Sequence, residues 1–207
     1  MVNTLEVEMK LPPEHEYEKY YQLKKGDVYV EIGGYLARHG VVASKEVESS
    51  GKVILIEPSP DNIVIIEKRI VDEKLKNVIL VKKAVYSVKK RMLFRVDGPT
   101  CGHSLTDGLG NECPGNVSIE VDADTLDNIL TELGIEYVNL LSADCEGTEI
   151  HIVRSANKYM NESRILNVAL GSYHYPDNYK VILKELEAKG FKNLRYEPEN
   201  GTIYGNV

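Results

Sequence analysis

The chain has 207 residues, of which 43% are hydrophobic and 28% charged, and this composition predicts a globular protein with one domain over residues 1–207. The formal net charge of −7 argues against a nucleic-acid or anionic-membrane surface, because both attract basic proteins. No apolar run approaches the ~20 residues of a membrane span, and the charged first residues lack the apolar region of a signal peptide. Three cysteines fit a reducing compartment, so we expect a cytoplasmic protein.

The first 25 residues form a cap segment ahead of the regular elements. Residues 14–24 are predicted to be a short helix with Tyr17, Tyr20 and Tyr21 roughly on one face. Such a helix can cover a sheet edge, or it can act as a lid whose tyrosines touch a cofactor or substrate. Both interpretations stay open at the level of the sequence.

Residues 26–59 contain the pattern around which the chain is organised. The β-branched run of Val28, Val30 and Ile32 stops at two glycines, a helical stretch follows, and residues 52–56 form a second strand that ends at Glu57. This order predicts a βαβ unit. Its strand ends and helix N-terminus form the crevice in which open α/β sheets bind ligands.

The elements after this unit continue the alternation. Ser59 can cap a helix that begins at Pro60 and runs to about Lys74, and residues 77–81 form a third strand. Residues 91–96 and 117–121 are predicted to be a strand pair, separated by a loop over residues 98–116 that we expect to be mobile and close to the active site.

Regular α/β alternation returns in the last third of the chain. We predict a helix capped by Asp124 or Thr125 and ended by Gly134, strands 137–142 and 165–170, a helix after each, and a terminal hairpin turning at Asn200-Gly201. The predicted fold is therefore α/β: a Rossmann-like, doubly wound, mostly parallel sheet with an antiparallel terminal strand and helices on both faces.

The glycine turn selects among nucleoside cofactors. A dinucleotide fingerprint needs a glycine where this chain has Tyr35, whose side chain would crowd a pyrophosphate, so NAD and FAD are disfavoured. Glu31 precedes the turn and suits an amine, whereas Glu57 ends the next strand, where an acid can accept both ribose hydroxyl protons. An acid, a glycine turn and a second acid favour S-adenosylmethionine, which has an amine, a sulfonium and a ribose but no phosphate.

Seven segments, in order from about Gly26 to Phe191, resemble those of the FkbM family of class I S-adenosylmethionine-dependent methyltransferases. They are GDVYVEIGGYLARHG, GKVILIEPSPDN, VKKAVYS, GHSL, ADTLDNIL, LLSADCEGTEIHIVRSA and YHYPDNY followed by a helix and GF. The chain departs from the family pattern at Glu31, which replaces an Asp, at Ala37, where glycine is common, and at Ser142, which replaces a lysine. The last change is expected to alter the substrate pocket.

This resemblance and the residue chemistry together give a set of cofactor-binding residues. Gly33 and Gly34 would let the backbone pass close to the methionine part, Glu31 would approach the amine, and Glu57 would hold the ribose. Near adenine we expect Pro58, Ser59 and Asn62, and the resemblance adds Ala84 and Val85, which are almost as well explained as plain core. The full set of cofactor-binding candidates is Glu31, Gly33, Gly34, Tyr35, Glu57, Pro58, Ser59, Asn62, Ala84, Val85 and Asp144.

The catalytic candidates are Asp144, Glu146 and His174, with His103 as a fourth on the loop. Methyl transfer to a hydroxyl needs positioning and benefits from a base that removes the proton. Glu146 can instead brace its turn by bonding backbone amides, and Glu149 on the next helix is expected to be structural.

The sequence offers two sets of possible metal ligands, and neither is predicted to bind an ion. Cys101, His103 and Cys113 lack a paired C-x-x-C and a clear fourth ligand even if Cys145 is added, and a divalent ion on Asp144 and Glu146 has only those two carboxylates to support it.

The sequence thus predicts O-methylation of a small molecule or glycan. The alternatives are a non-catalytic module that binds S-adenosylmethionine and, less favoured, a nicotinamide-dependent oxidoreductase. The lysines at 82–83 and 89–90 are expected to be a solvated face rather than a site for an anionic substrate. A homodimer could form through the middle strands.

Overall fold

A computed structural model describes residues 16–96, 104–105 and 117–207. The strands are β1 (Val28–Ile32), β2 (Lys52–Ile56), β3 (Val78–Val81), β4 (Ala84–Val85), β5 (Lys90–Val96), β6 (Ser104–Leu105), β7 (Val117–Asp124), β8 (Leu140–Ala143), β9 (Asn167–Gly171), β10 (Lys192–Glu197) and β11 (Thr202–Asn206). The helices are α1 (Arg38–Val47), α2 (Pro60–Asp72), α3 (Leu126–Glu132), α4 (Glu149–Ser155), α5 (Asn157–Asn161) and α6 (Asn178–Ala188).

A seven-stranded sheet forms the centre of the fold, in the order β10-β11-β9-β8-β1-β2-β3. Strands β9, β8, β1, β2 and β3 run parallel, and β11 lies antiparallel between β9 and β10. The chain moves outward from β1 to β3 and then crosses back to β8, so the strand order reverses between β1 and β8. Such a switch point is where open α/β sheets bind ligands. The predicted fold, including its antiparallel terminal strand, is confirmed.

The two faces of this sheet carry separate hydrophobic cores because side chains alternate along β1. Val30 and Ile32 pack in the core that includes residues of α3, α4 and α6. Tyr29 packs in the core that includes residues of α1 and α2. Glu31 has the same parity as Tyr29, so its carboxyl group points toward the α1 side of the sheet.

The middle of the chain forms a second sheet of four strands, in the order β4-β7-β5-β6. The predicted strand pair is confirmed as antiparallel β5 and β7, with Phe94 opposite Ile119. Two residues of the predicted mobile loop, Ser104 and Leu105, pair with β5 as β6. The rest of that loop, including Cys101, His103 and Cys113, lies outside the described residues.

The helix predicted over residues 14–24 is wrong across the part that is described. Residues 16–24 form a turn, a bend and irregular backbone. Long-range contacts hold them: Tyr204 donates a hydrogen bond to the backbone oxygen of Glu16, and Tyr20 donates one to Glu197 on β10. The tyrosines are spaced as on one face of a helix, but this segment is held by contacts to the sheet instead. Together with Asn167, Arg195 and Tyr204, the three tyrosines line a cavity of about 290 Å³.

The start of α2 differs from the prediction in one respect. Pro60 occupies the first helical position as predicted, but the Ser59 side chain makes no capping hydrogen bond. Ser59 is fully buried, and its backbone N–H donates to Glu57 instead. By contrast, Thr125 caps α3 by accepting a hydrogen bond from the backbone N–H of Asn128, as predicted.

Within the described ranges, the helices are all too short or too polar to cross a membrane.

Candidate active site

The carboxyl ends of β1, β2, β8 and β9 meet at the switch point of the central sheet. Gly33 follows β1, Glu57 follows β2, Asp144 follows β8, and Ser172 follows β9. Parallel pairing of these strands brings the predicted cofactor residues and the predicted catalytic residues to one edge of the sheet. The sequence could place each residue at a strand end, but only the strand order makes them neighbours.

The turn after β1 approaches the turn after β8 very closely. Gly33 has φ of +82°, and a Cβ there would overlap the backbone oxygen of Asp144. The Gly33 N–H donates to the backbone oxygen of Ile56, which fixes the turn against β2 as well. A side chain at Gly33 would push the predicted cofactor half of the site away from the catalytic half.

Glu57 ties the glycine turn to the end of β2. Its carboxylate is buried and accepts hydrogen bonds from the backbone N–H of Tyr35, at 3.0 Å, and of Ser59, at 2.9 Å. A carboxylate has about four lone-pair sites, so its oxygens can accept hydrogen bonds from more than two donors. Tyr35 itself has φ of 42°, in the left-handed region that glycine usually occupies.

Glu31 carries a buried polar atom with no partner of its own. The residue is 4% exposed, and among the described residues its Oε2 has no hydrogen-bond partner. Burial raises the pKa of Glu31, the Gly40 N–H opposes this effect, the charge of Glu57 adds to it, and the resulting pKa is about 8. A cationic amine beside this carboxyl group would supply the missing partner. The site therefore fits the amine of S-adenosylmethionine.

The remaining cofactor candidates lie around the end of β2 and in β4. Ser59 is fully buried, and its Oγ has no partner among the residues that the structure describes. Asn62, on the first turn of α2, is 8% exposed. Ala84 and Val85 are both buried, and Val85 belongs to the core under α3. Their side chains thus serve the core, whether or not they also flank adenine.

Tyr17 brings the N-terminal segment to the same edge of the sheet. Its ring is buried and lies 4.6 Å from the ring of His39 on α1. Burial, followed by the charge of Asp144, raises the pKa of Tyr17 well above its usual value. The segment therefore reaches the neighbourhood of Asp144, as the lid interpretation requires, but without forming a helix.

His174 lies between carboxylates on both of its ring nitrogens. Nε2 is 2.9 Å from Asp144 Oδ1, and Nδ1 is 3.3 Å from Glu146 Oε2. Burial alone would lower the pKa of His174, but the bonds to Asp144 and Glu146 raise it to about 10. With nothing else bound, the ring is held as an imidazolium, which can donate protons but cannot accept them. The structure brings all three catalytic candidates together.

Glu149, and not Glu146, braces the turn after β8. Glu149 Oε1 accepts hydrogen bonds from the backbone N–H of Cys145, at 2.7 Å, and of Gly147, at 3.4 Å. Glu146 has φ of 52° and directs its carboxylate to His174. The bracing role that the sequence left open for Glu146 therefore belongs to the fully buried Glu149. The structural role expected for Glu149 is correct.

Tyr173 joins the catalytic candidates, although the sequence predicted neither a catalytic nor a cofactor-binding role for it. Its hydroxyl donates to Asp144 Oδ2 at 2.7 Å, so both oxygens of Asp144 are engaged from the end of β9. The ring lies over Gly201, where a Cβ would be only 2.6 Å from Tyr173 Cβ. Its position immediately before His174 was the one signal in the sequence that could have identified it.

Ser142, the departure expected to alter the substrate pocket, is buried inside the sheet. It is 0% exposed, pairs with Glu31 across the sheet, and lies 2.6 Å from the Tyr29 hydroxyl. It is thus a hydrogen-bonded core residue beneath the site.

A parallel sheet that reverses between β1 and β8, with an acid in β1 and acids after β2 and β8, is the arrangement expected of Rossmann-like methyltransferases. Residues 31–193 match the family described as the methyltransferase FkbM domain, so the chain belongs to the FkbM methyltransferase family. The expected resemblance and the expected class of enzyme, an S-adenosylmethionine-dependent methyltransferase, are confirmed at the level of the family. No curated protein sequence matches the chain.

Solved structures show the same fold at low sequence identity. Methyltransferase FkbM from Methylobacillus flagellatus KT is 14% identical with a TM-score of 0.65, and the match covers 91% of this chain and 47% of that one. This chain therefore spans about half the length of that protein.

Two further structures were solved with a cofactor or its product. Aeropyrum pernix fibrillarin, with natively bound S-adenosyl-L-methionine, is 14% identical with a TM-score of 0.53, over 88% of this chain and 67% of that one. A putative methyltransferase from Streptococcus mutans, in complex with SAH, is 11% identical with a TM-score of 0.53, over 89% and 91%.

Proposed function

We propose that this protein transfers a methyl group from S-adenosylmethionine to a hydroxyl oxygen of a small molecule or glycan. The observation that carries the proposal is the close approach of the two turns: Gly33 leaves no room for a side chain beside Asp144. Asp144 and His174 therefore lie next to the glycine turn, where the reacting methyl of a cofactor bound in that crevice would be.

The cofactor half of the proposed site uses residues at the ends of β1 and β2. Glu31 would pair with the amine, Gly33 and Gly34 would allow close passage of the methionine part, and Glu57 would accept the ribose hydroxyls. One oxygen each of Glu31 and Ser59 lacks a partner in the described part of the chain, and this supports the assignment because a bound polar ligand would satisfy both oxygens.

The acceptor half of the proposed site uses Asp144 as the base. His174 has carboxylates on both ring nitrogens, so it orients Asp144 and balances its charge. The acceptor hydroxyl would replace Tyr173 at Asp144 Oδ2 and pass its proton to that oxygen. When bound, the cofactor supplies an electrophilic methyl carbon, which takes the oxygen lone pair while the carbon–sulfur pair stays on sulfur.

The charge at the acceptor half indicates the class of acceptor. Asp144, Glu146 and Glu149 lie together there, and the chain has a net charge of −7. Both features disfavour a phosphate backbone, so the proposed acceptor is not a nucleic acid. A cytoplasmic location, indicated by the cysteine content, and a homodimer complete the proposal.

Calorimetry with S-adenosylmethionine tests the cofactor half. We expect micromolar binding that is lost in Glu57→Ala and weakened at least tenfold in Glu31→Gln. Glu67→Gln is the matched control because Glu67 is half exposed on α2 and, among the described residues, pairs only with the surface residue Lys82. Thermal melts would check that each variant is folded. A folded wild-type protein that binds neither S-adenosylmethionine nor its demethylated product would overturn the proposal.

Mass spectrometry of cell extract incubated with labelled cofactor tests the acceptor half. We expect a labelled small molecule or glycan, no labelled RNA, and a loss of at least a hundredfold in rate for Asp144→Asn. Cofactor binding without any labelled acceptor would instead favour a non-catalytic binding module. Binding of NAD in preference to S-adenosylmethionine would favour an oxidoreductase.

A further inference from the structure

Three side chains at the ends of β8 and β9 form a cluster of metal-ligand type. Asp144, Glu149 and His174 each offer one ligand atom, and these atoms all lie within 4.8 Å of one another. His174 Nε2 is 2.9 Å from Asp144 Oδ1 and 3.7 Å from Glu149 Oε1. Two ligands at right angles around an ion with bonds of about 2.1 Å lie about 3 Å apart, so small movements would bring all three onto one ion.

Each of the three side chains is also held by an outer hydrogen bond, as ligands in built metal sites are. Glu146 lies 3.3 Å from His174 Nδ1, which fixes the ring and directs Nε2 toward the other two residues. Tyr173 holds Asp144 through Oδ2 and leaves Oδ1 facing His174. The backbone N–H groups of Cys145 and Gly147 hold Glu149.

Glu149 supplies an independent indication that the cluster accepts a ligand. Its carboxylate is fully buried beside His174, and its Oε2 has no hydrogen-bond partner within the described part of the chain. A buried carboxylate oxygen without a partner is costly unless a donor or a cation satisfies it. In addition, the carboxyl groups of Asp144, Glu146 and Glu149 surround the single imidazole ring of His174.

We propose that Asp144, Glu149 and His174 bind a divalent transition-metal cation of the Mn²⁺ or Zn²⁺ type. One imidazole nitrogen and two carboxylate oxygens suit such an ion better than they suit Mg²⁺, which prefers ligands that are all oxygen atoms. The ion takes the place of the imidazolium proton between these residues.

The role of the ion rests on the proposed methyl transfer, whereas its binding does not. The ion holds the acceptor oxygen and lowers the pKa of the acceptor hydroxyl. The proton then leaves to Asp144 Oδ2, which is not the coordinating oxygen. The sequence-based expectation of no metal site would be wrong in this case, because the third ligand, His174, comes from a different strand end.

Electron paramagnetic resonance and calorimetry with Mn²⁺, repeated with Zn²⁺ by calorimetry alone, test the site on the apo protein. We expect one ion per chain. Affinity should fall at least tenfold in His174→Gln and in Glu149→Gln, and by about ten- to a hundredfold in Glu146→Gln, whose residue only orients His174. Glu67→Gln, which removes one surface carboxylate, should bind the ion as the wild type does.

Two results would overturn the site: no stoichiometric binding of either ion at millimolar concentration, or unchanged affinity in His174→Gln. His174→Gln is needed because Glu149→Gln can also loosen the turn after β8, and thermal melts would identify that case. Failure of the metal site and failure of the proposed methyl transfer can be told apart. A protein that binds S-adenosylmethionine but no ion keeps the proposed function without the site, and one that binds the ion but no cofactor keeps only the site.

Discussion

Gly33 and Gly34 are neighbours in the turn after β1, yet the structure makes different demands on them. Gly33 has φ of +82°, and a Cβ there would meet the backbone of Asp144, which cannot give way without moving β8. Gly34 does not share this conformation, and its added Cβ would lie at an ordinary 3.8 Å from Leu55. Only the first glycine is therefore required by the backbone.

Alanine at each position gives a matched pair of variants. Gly33→Ala should lower the free energy of unfolding by about 2 kcal/mol or more, through left-handed strain and the overlap with Asp144. Gly34→Ala should stay within about 0.5 kcal/mol of the wild type, as substitutions without such a conflict do. Urea denaturation measures both, and equal losses in the two variants would contradict this account of the turn.

At the scale of elements, residues 16–24 behave as a strap that is fastened at both ends. Tyr20 and Lys19 reach Glu197 on β10, the latter at 3.2 Å, and Tyr21 donates to Asp27 at the start of β1. On α1, burial, the charge of Glu18 and a hydrogen bond to Glu18 raise the pKa of Glu46 to about 7. Two carboxyl groups can share that bond only while one of them is protonated.

This contact makes the docking of the strap depend on pH. Glu46 holds its proton more tightly when docked, so the contact is intact in mild acid and is lost as pH rises through about 7. Hydrogen exchange of residues 16–24, corrected for intrinsic rates, should therefore be faster at pH 8.5 than at pH 6. Glu46→Gln should remove most of that difference, because an amide can donate at every pH. An unchanged difference in the variant would show that another group controls the strap.

At the scale of the whole molecule, buried carboxyl groups determine how stability depends on pH. The pKa of Glu31 is raised from 4.5 to about 8, mainly by burial. The unfolded chain ionises this group from pH 4.5 upward, whereas the folded chain resists ionisation up to pH 8. Stability from this group is therefore highest below pH 4.5 and falls as pH rises to about 8.

The loss of folding stability at low pH has a different origin. Burial alone would raise the pKa of Asp124, but hydrogen bonds from Asn128 and Lys83 lower it to about 2. This carboxylate stabilises the fold above its ordinary pKa of 3.8, and that contribution is lost as pH falls toward 2. Because the Asp124 contribution is lost at low pH and the Glu31 contribution at higher pH, we expect maximum stability near pH 5.

Melting temperatures measured from pH 4 to pH 9 test this balance. The wild type should lose stability from pH 5 to pH 8, and Glu31→Gln should flatten that slope and melt at a higher temperature than the wild type at pH 8. The same variant should bind S-adenosylmethionine less tightly, because the carboxylate that would meet the amine is gone. A parallel slope in both proteins would mean that Glu31 is not the group responsible.

Local patterns in the sequence determined a large part of this protein. The β-branched run before Gly33, the acid at Glu57 and the Pro60 start of α2 depend on residues close in the chain, so they could be predicted. Most of the succession of strands and helices along the chain also followed, because strand and helix patterns alternate regularly in the sequence. The residues proposed for the cofactor half of the site could therefore be named from the sequence alone.

Only the tertiary structure decided how the catalytic candidates are arranged. It assigned the bracing of the β8 turn to Glu149 over Glu146, added Tyr173 to Asp144, and placed His174 between carboxylates. It also replaced a predicted N-terminal helix with a strap that contacts residues near the end of the chain. The physical reason is the same in each case. These contacts join residues about 30 or more positions apart, or depend on which way a side chain turns, and neither is encoded by the spacing of residues along a short segment.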